Sequence, residues 1–269
     1  MSWLYSNLAL AAALLVAALF AGMLALLELG RRLGKRRLAQ DPEGARAGLG
    51  GVEGAVFGLL ALLIAFTFSG AAGRFDTRRR LIAEEANAIG TAWLRLDLLP
   101  EGRQPAMREL FRRFLDARLE IYRALPDVRA AEEALARATA LQGEIWDSAV
   151  AAGNEAPPQV TLLLLPALNA MFDVATSRLA AVRSHQPVVI FALLFGLAFG
   201  CSLLAGFGMA PGAERSWLHM LGFAAILVVS IYAILDLEFP RMGLIHVDAA
   251  DQLLLELRRG MEASSEPAR

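Results

Sequence analysis

The sequence predicts an all-α membrane protein: four transmembrane helices, with a helical bundle domain inserted between the second and third spans. Three observations carry that expectation. The 269 residues are 57% hydrophobic with a mean hydropathy of +0.48, yet 20% are charged, which describes a membrane protein with a substantial part in water. Four apolar runs each approach or exceed the ~20 residues that cross a bilayer. Between the second and third runs, apolar residues recur at helical spacing, and no run with the strand period is long enough to build a sheet.

The first run, Leu8 to Leu27, contains no charge and is followed by Arg31, Arg32, Lys35, Arg36 and Arg37. A cleaved leader carries its positive charge before a shorter apolar core, so this reads as a retained span over about 8–29. The second run, Gly50 to Gly73, has Glu53 as its only charge. It continues without a proline or paired glycines to Pro100, which predicts one rod of up to 50 residues, about 75 Å long. Pro187 to Ala210 and Trp217 to Leu235 are the third and fourth spans, joined by the short Pro211–Ser216 connection. The expected organisation is a hairpin over 1–73, a water-exposed bundle over 74–186, a second hairpin over 187–236, and a strap with a short C-terminal helix over 237–269.

Within the bundle, Ile82, Ala86, Ile89, Trp93 and Leu96 are spaced as one helical stripe. Met107, Leu110, Phe111, Phe114, Ile121 and Leu125 form another, and Val128, Ala131, Leu135, Ala138 and Ile145 a third. Breaks are predicted at Pro100–Gly102, at Pro126 and at Gly153–Pro158. The last of the four resulting helices is expected to run from about Gln159 into the third span, kinked at Pro166. Beyond the fourth span, Asp236 to Asp248 reads as a non-helical strap. Asp248 then caps a helix from about Ala249 to Arg259, and Ser264 to Arg269 reads as unstructured.

Composition excludes several function classes. With 26 basic and 27 acidic residues, nucleic acid is not an expected partner. The chain has a single cysteine, Cys201, in an apolar run, and His185, His219 and His246 are far apart, so neither a disulfide nor a metal or haem motif is present. Walker, dinucleotide, nucleophile-elbow and zincin signatures are absent. No cofactor and no enzyme activity are expected.

The spans are more informative. Gly50, Gly54, Gly58, Ala61, Ala65, Ser69 and Ala72 form a continuous small-residue face on the second span, and Ala192, Gly196 and Gly200 repeat the device on the third beside Phe191, Phe195 and Phe199. Such faces mark close helix contacts. They serve either packing of the four spans within one chain, or assembly of copies about an axis with Phe57, Ile64 and Phe68 forming an apolar constriction. Polar candidates are Glu84, Glu85 and Asn87 just beyond the second span, as an ion site or a partner of local arginines, together with Asp236 and Glu238, read with Glu28 and Glu53 as interfacial anchors. Arg78, Arg79 and Arg80 are candidates for anionic headgroups.

The second-span sequence from Gly58 to Ser69 (GLLALLIAFTFS), with Arg74-Phe75, Arg78-Arg79 and Glu84 to Ala92 (EEANAIGTA), resembles the bacterial bestrophin-like membrane protein family. So do Pro166 to Met171 (PALNAM), Trp217 to Phe223 (WLHMLGF) and Leu235 to Ile245 (LDLEFPRMGLI). True bestrophins are oligomeric anion channels with four spans per subunit and a pore lined by the second. The resemblance therefore implies a homo-oligomer in the bilayer of the bacterial inner membrane, with inorganic anions as ligands. Their calcium clasp is not matched: Asp236, Glu238 and Asp248 are too sparse for 6 to 8 oxygens. The alternative reading is a membrane-anchored helical interaction or sensor protein without conduction. The two signals for sidedness conflict. The basic loop between the first two spans places the central segment outside, whereas the resemblance implies the cytosol.

Overall fold

The computed structural model describes residues 8–41, 49–124, 127–212, 215–240, 244–245 and 248–263. They form helices α1 (Leu8–Gln40), α2 (Leu49–Arg95), α3 (Gln104–Arg123), α4 (Val128–Gly153), α5 (Pro158–Arg183), α6 (Val188–Gly208), α7 (Trp217–Glu238) and α8 (Asp248–Ala263), with a 3₁₀ turn at Leu96–Leu98. No strand occurs among the described residues. Four stretches are long and apolar enough to cross a membrane. The described residues divide into two compact units: an apolar one drawn from 8–75 and 185–245, and a polar one drawn from 76–184 and 248–263.

The apolar unit has a core built from all four of its helices. Leu19, Met23 and Leu27 of α1 meet Leu60 and Ala71 of α2, Leu194, Ala198 and Cys201 of α6, and Met220, Ala224, Val228, Ile231, Ile234 and Leu237 of α7. Its tightest approach is between α1 and α6. A Cβ on Gly30 would run into the carbonyl of Leu203, and one on Gly206 into the carbonyl of Leu27. A Cβ on Gly34 would meet Phe207 and Ala210. Lipid offers no hydrophobic drive between helices, so cohesion comes from van der Waals contact and polar pairing, and glycines on facing helices permit that contact. Hydroxyls within these helices are satisfied locally: Thr67 donates to the Leu63 carbonyl at 2.7 Å and Ser202 to that of Ala198 at 2.8 Å.

The polar unit is a bundle whose buried faces follow the predicted stripes at most positions. Ile82 and Ile89 of α2, Leu96 of the 3₁₀ turn, Met107, Phe111 and Phe114 of α3, and Ala131, Ala138 and Ile145 of α4 are all buried. Val128 is instead exposed, because it is the first residue of α4, beside the Asp127 cap that accepts from the Ala130 amide at 3.2 Å. Leu125 and Pro126 lie outside the described residues. α8 packs on α3, burying Leu254 and Met261, and Arg258 clamps Asp116 with two bonds of 2.8 and 3.1 Å.

Three boundaries differ from expectation. α5 does not run into the third span: the chain is non-helical over 184–187, with Ser184 extended at ψ 112°. Pro187 disfavours helix at the residue before it, and Arg78 donates to the carbonyls of Ala181 (3.1 Å) and Ser184 (2.9 Å), satisfying the end of α5. α7 extends through Asp236 and Glu238 rather than stopping at Leu235, and α8 reaches Ala263. Pro166 sits inside α5, which continues through it. Residues 241–243, 246–247 and 264–269, which include much of the expected strap, lie outside the described residues.

The glycine contacts make a direct prediction. Gly206→Ala is expected to destabilise the protein by about 1–3 kcal/mol through overpacking, while Gly196→Ala, whose Cβ meets nothing within 4 Å, leaves stability unchanged. Thermal unfolding of the two variants in detergent checks this.

Candidate functional site

Two features stand out: an unfilled face on α2 within the apolar unit, and a set of buried carboxylates. Along α2, Gly50, Gly54, Gly58, Ala61, Ala65 and Ser69 are all exposed and Ala72 is half-buried. A Cβ built on Gly50, Gly54 or Gly58 meets no atom within 4 Å. Among the described residues, no other helix packs on this face at Gly50, Gly54 or Gly58, whereas Ala72 at its far end touches the core of the apolar unit; the close intrachain contact uses Gly30, Gly34 and Gly206. On α6, Ala192 and Gly196 are exposed and Gly200 half-buried, and Gly196 and Gly200 likewise have open space at Cβ.

The three aromatic and aliphatic candidates beside that face differ from one another. Phe57 and Ile64 are half-buried on the flank nearest the intrachain core, and Phe57 meets Phe223 of α7 edge to face, centroids 6.2 Å apart. Phe68 is 46% exposed, and Phe66, on the other side of the small-residue line, is 67% exposed.

The polar candidates divide sharply. Glu84 is partly exposed and pairs with Arg80 at 3.3 Å, one turn earlier. Asn87 is exposed. Glu85 does not join them: successive helical residues point about 100° apart, and Glu85 turns into the bundle, fully buried. There Arg118 of α3 donates to its Oε1 at 2.5 Å and Arg178 of α5 to its Oε2 at 2.6 Å. The Arg178 guanidinium also lies 3.8 Å from the Tyr122 ring centroid. Both arginines are 2% exposed, so one carboxylate ties three helices of the polar unit together. Burial alone would push the Glu85 carboxyl up, but the two guanidiniums outweigh it and hold the group below the usual carboxylate value. The same pairing raises the Arg118 guanidinium against the opposing effect of burial.

Asp236 and Glu238 are not interfacial anchors. Both are buried in the last turn of α7. Asp236 Oδ2 accepts from the amides of Leu244 and Ile245 at 3.0 and 3.1 Å, folding the chain back after the helix. Glu238 gathers Arg74 (2.6 and 3.0 Å), the Gln186 amide (2.8 Å) and His185 Nδ1 (3.4 Å). His185 in turn stacks on Phe239, centroids 4.8 Å apart. The end of α7, the exit of the second span and the start of the third thus share one carboxylate. Gly70 leaves room for this, since a Cβ there would press on Gln186 Nε2 and Arg74 Nη1. Arg78 is buried on the end of α5 and so is not presented to headgroups. No group of three or more His, Cys, Asp or Glu suited to a metal exists among the described residues. His246 and the Arg241 side of the strap lie outside them.

Sequence spacing singled out Glu85 but missed Arg118, Arg178 and Tyr122. The available signal was a charged residue at an apolar register position: Glu85 between Ile82 and Ile89, Arg118 between Phe114 and Ile121, Arg178 after Met171 and Ala175.

A family model for the bestrophin-like domain matches residues 17–251. Solved structures of a bacterial bestrophin homologue from Klebsiella pneumoniae, each with a different point mutation, have the same fold. One superposes with a TM-score of 0.69 at 13% identity over 92% of this chain and 99% of that one, and another with 0.68 at 14% over 90% and 97%. No curated protein matches the chain in sequence.

Glu85→Gln leaves two buried guanidiniums short of a countercharge and is expected to cost about 3–5 kcal/mol of stability. Because the folded-state value of Glu85 is depressed, its contribution is full above the ordinary carboxylate value of 4.5 and is lost as pH falls through the lower folded value. Acid unfolding of the full chain in detergent, followed by tryptophan fluorescence, should show a limb below pH 4.5 that is flattened in the variant.

Proposed function

The chain belongs to the bestrophin-like family, and from that membership and the unfilled face of α2 we propose that it is a homo-oligomeric membrane channel for inorganic anions. In this reading the second spans of several copies meet about a common axis. The observation that carries it is that Gly54, Gly58, Ala61, Ala65 and Ser69 form an exposed line on a membrane helix. Small residues favour association only where another backbone approaches closely, and no described helix of this chain does so there. A second copy supplies that backbone. Phe68, exposed beside the line, is the side chain best placed to narrow the conduit, with Phe57 and Ile64 behind it. An apolar ring of this kind gates by dewetting.

The location we propose is the bacterial inner membrane with the bundle in the cytosol. Basic residues near the spans divide evenly: Arg31, Arg32, Lys35, Arg36, Arg37, Arg46 and Arg215 on one side, and Arg74, Arg78, Arg79, Arg80, Arg178, Arg183 and Arg241 on the other. The positive-inside count is therefore neutral, and the family likeness supports the cytosolic side.

Purified protein in planar bilayers is expected to carry an anion current under a chloride gradient, and Gly58→Leu to disperse the oligomer and abolish the current. Silence under every ion gradient together with a monodisperse monomer in detergent would overturn the channel and leave the anchored helical sensor. Sidedness is read with Gly102→Cys, on the exposed turn before α3; Gln104 is the poorer site because its amide donates to the Leu99 carbonyl at 2.8 Å. An impermeant maleimide should label Gly102→Cys only after cell lysis. The native Cys201 is buried.

A further inference from the structure

Over Gly70, the side chains of Arg74 and Gln186 bring nitrogen donors to a single spot. Measured from where a Cβ on Gly70 would stand, Gln186 Nε2 is 3.2 Å away, Arg74 Nη1 3.3 Å and Arg74 Nη2 3.8 Å. Arg74 belongs to α2 and Gln186 to the connection before α6, and one acid holds them both. Glu238 accepts from Arg74 Nε and Nη2 through Oε2, at 3.0 and 2.6 Å, and from the Gln186 backbone amide through Oε1, at 2.8 Å. Arg74 Nη1 and the Gln186 carboxamide nitrogen face Gly70 instead. A guanidinium has five donors and a carboxamide two, so both side chains bring more donors than Glu238 uses.

The missing side chain is what opens this spot. Gly70 is half-buried, the Arg74 side chain is 23% exposed, and Ser69 and Gly73 on the same helix are exposed. Charge balance then sets the class of ligand. Converging N–H donors, one of them cationic, suit an anion. Glu238 already offsets much of the Arg74 charge, and His185 Nδ1 lies 3.4 Å from the same carboxylate, so a monovalent ion is favoured over a multiply charged oxyanion. We propose that Arg74 Nη1 and Gln186 Nε2, meeting over the bare backbone of Gly70, form a coordination site for a small monovalent inorganic anion such as chloride. The proposal rests on the anion-channel reading only for the route by which the ion arrives, and weak, reversible binding is what conduction requires. Gln186 Oε1 is buried without a hydrogen bond among the described residues, an unfavourable feature that an anion on Nε2 offsets. The reversed amide, with Oε1 toward Arg74, would close the site from within, and the test separates the two.

The full chain in mild detergent is titrated with chloride against gluconate at constant ionic strength, which holds screening fixed. The thermal midpoint is followed for wild type, Gly70→Ala, Gln186→Leu and the control Gly73→Ala, whose Cβ meets nothing within 4 Å. A saturable rise in the wild-type and Gly73→Ala midpoints, with apparent chloride affinity lowered about tenfold in the other two, the size of one charge-assisted hydrogen bond, supports the site. A wild-type midpoint indifferent to chloride overturns it, as the reversed amide would give. Equal chloride affinity in the two glycine variants overturns it as well. Should Gln186→Leu fail to fold, Gln186→Glu keeps the shape and replaces the donor by a carboxylate: lowered affinity supports the site, and unchanged affinity overturns it. Bilayer currents answer a separate question. Silence with the chloride response intact removes the channel and leaves the site, whereas a current with no chloride response removes the site and leaves the channel.

Discussion

A helix surrounded by lipid gains nothing by hiding its leucines from a second helix, since the acyl chains are as apolar as the partner. Cohesion in the apolar unit must come from elsewhere, and two devices supply it. One is the approach of the α1 and α6 backbones at Gly30 and Gly206, where even a methyl group would strike a carbonyl. The other is the Glu238 carboxylate, which draws Arg74, His185 and the Gln186 amide to the end of α7. Both depend on positions that cannot be exchanged for a residue of similar hydropathy. The apolar side chains around them fill space but do not choose the arrangement.

The polar unit solves its own version of the problem differently. Its helices have conventional apolar stripes, yet its deepest contact is ionic. Glu85 sits between Arg118 and Arg178, with Tyr122 closing over the second guanidinium. Such a cluster adds less net stability than an apolar replacement of the same shape, but it penalises every arrangement in which one member is displaced. One carboxylate thereby joins α2, α3 and α5 through two guanidiniums.

Helix type and approximate extent were legible because hydropathy and 3.6-residue spacing are local properties. The span runs, the Pro100–Gly102 and Gly153–Pro158 breaks and the stripes through Ile82, Phe111 and Ile145 are all of that kind. Partner identity was not legible. The small face of α2 and the glycines of α1 and α6 look alike as sequence, and only the fold reveals that the second set is filled within the chain while the first is left open. Glu84 and Glu85 are adjacent and chemically alike, but one points to solvent and the other to two arginines 33 and 93 residues away. Asp236 and Glu238 read as ends of a span because the following Pro240 and Gly243 suggested an early stop; their burial depends on contacts with 244–245 and with Arg74, which no local pattern records.

The Arg74–Glu238 pair also says something about how the chain is made. The two residues are 164 positions apart, and at about 5–20 residues per second of synthesis the arginine leaves the ribosome roughly 8–33 s before its counter-ion exists. During that interval Arg74 relies on water at the end of the second span for its solvation. The contact that joins the end of the fourth span to the exit of the second therefore forms only after all four spans have been made.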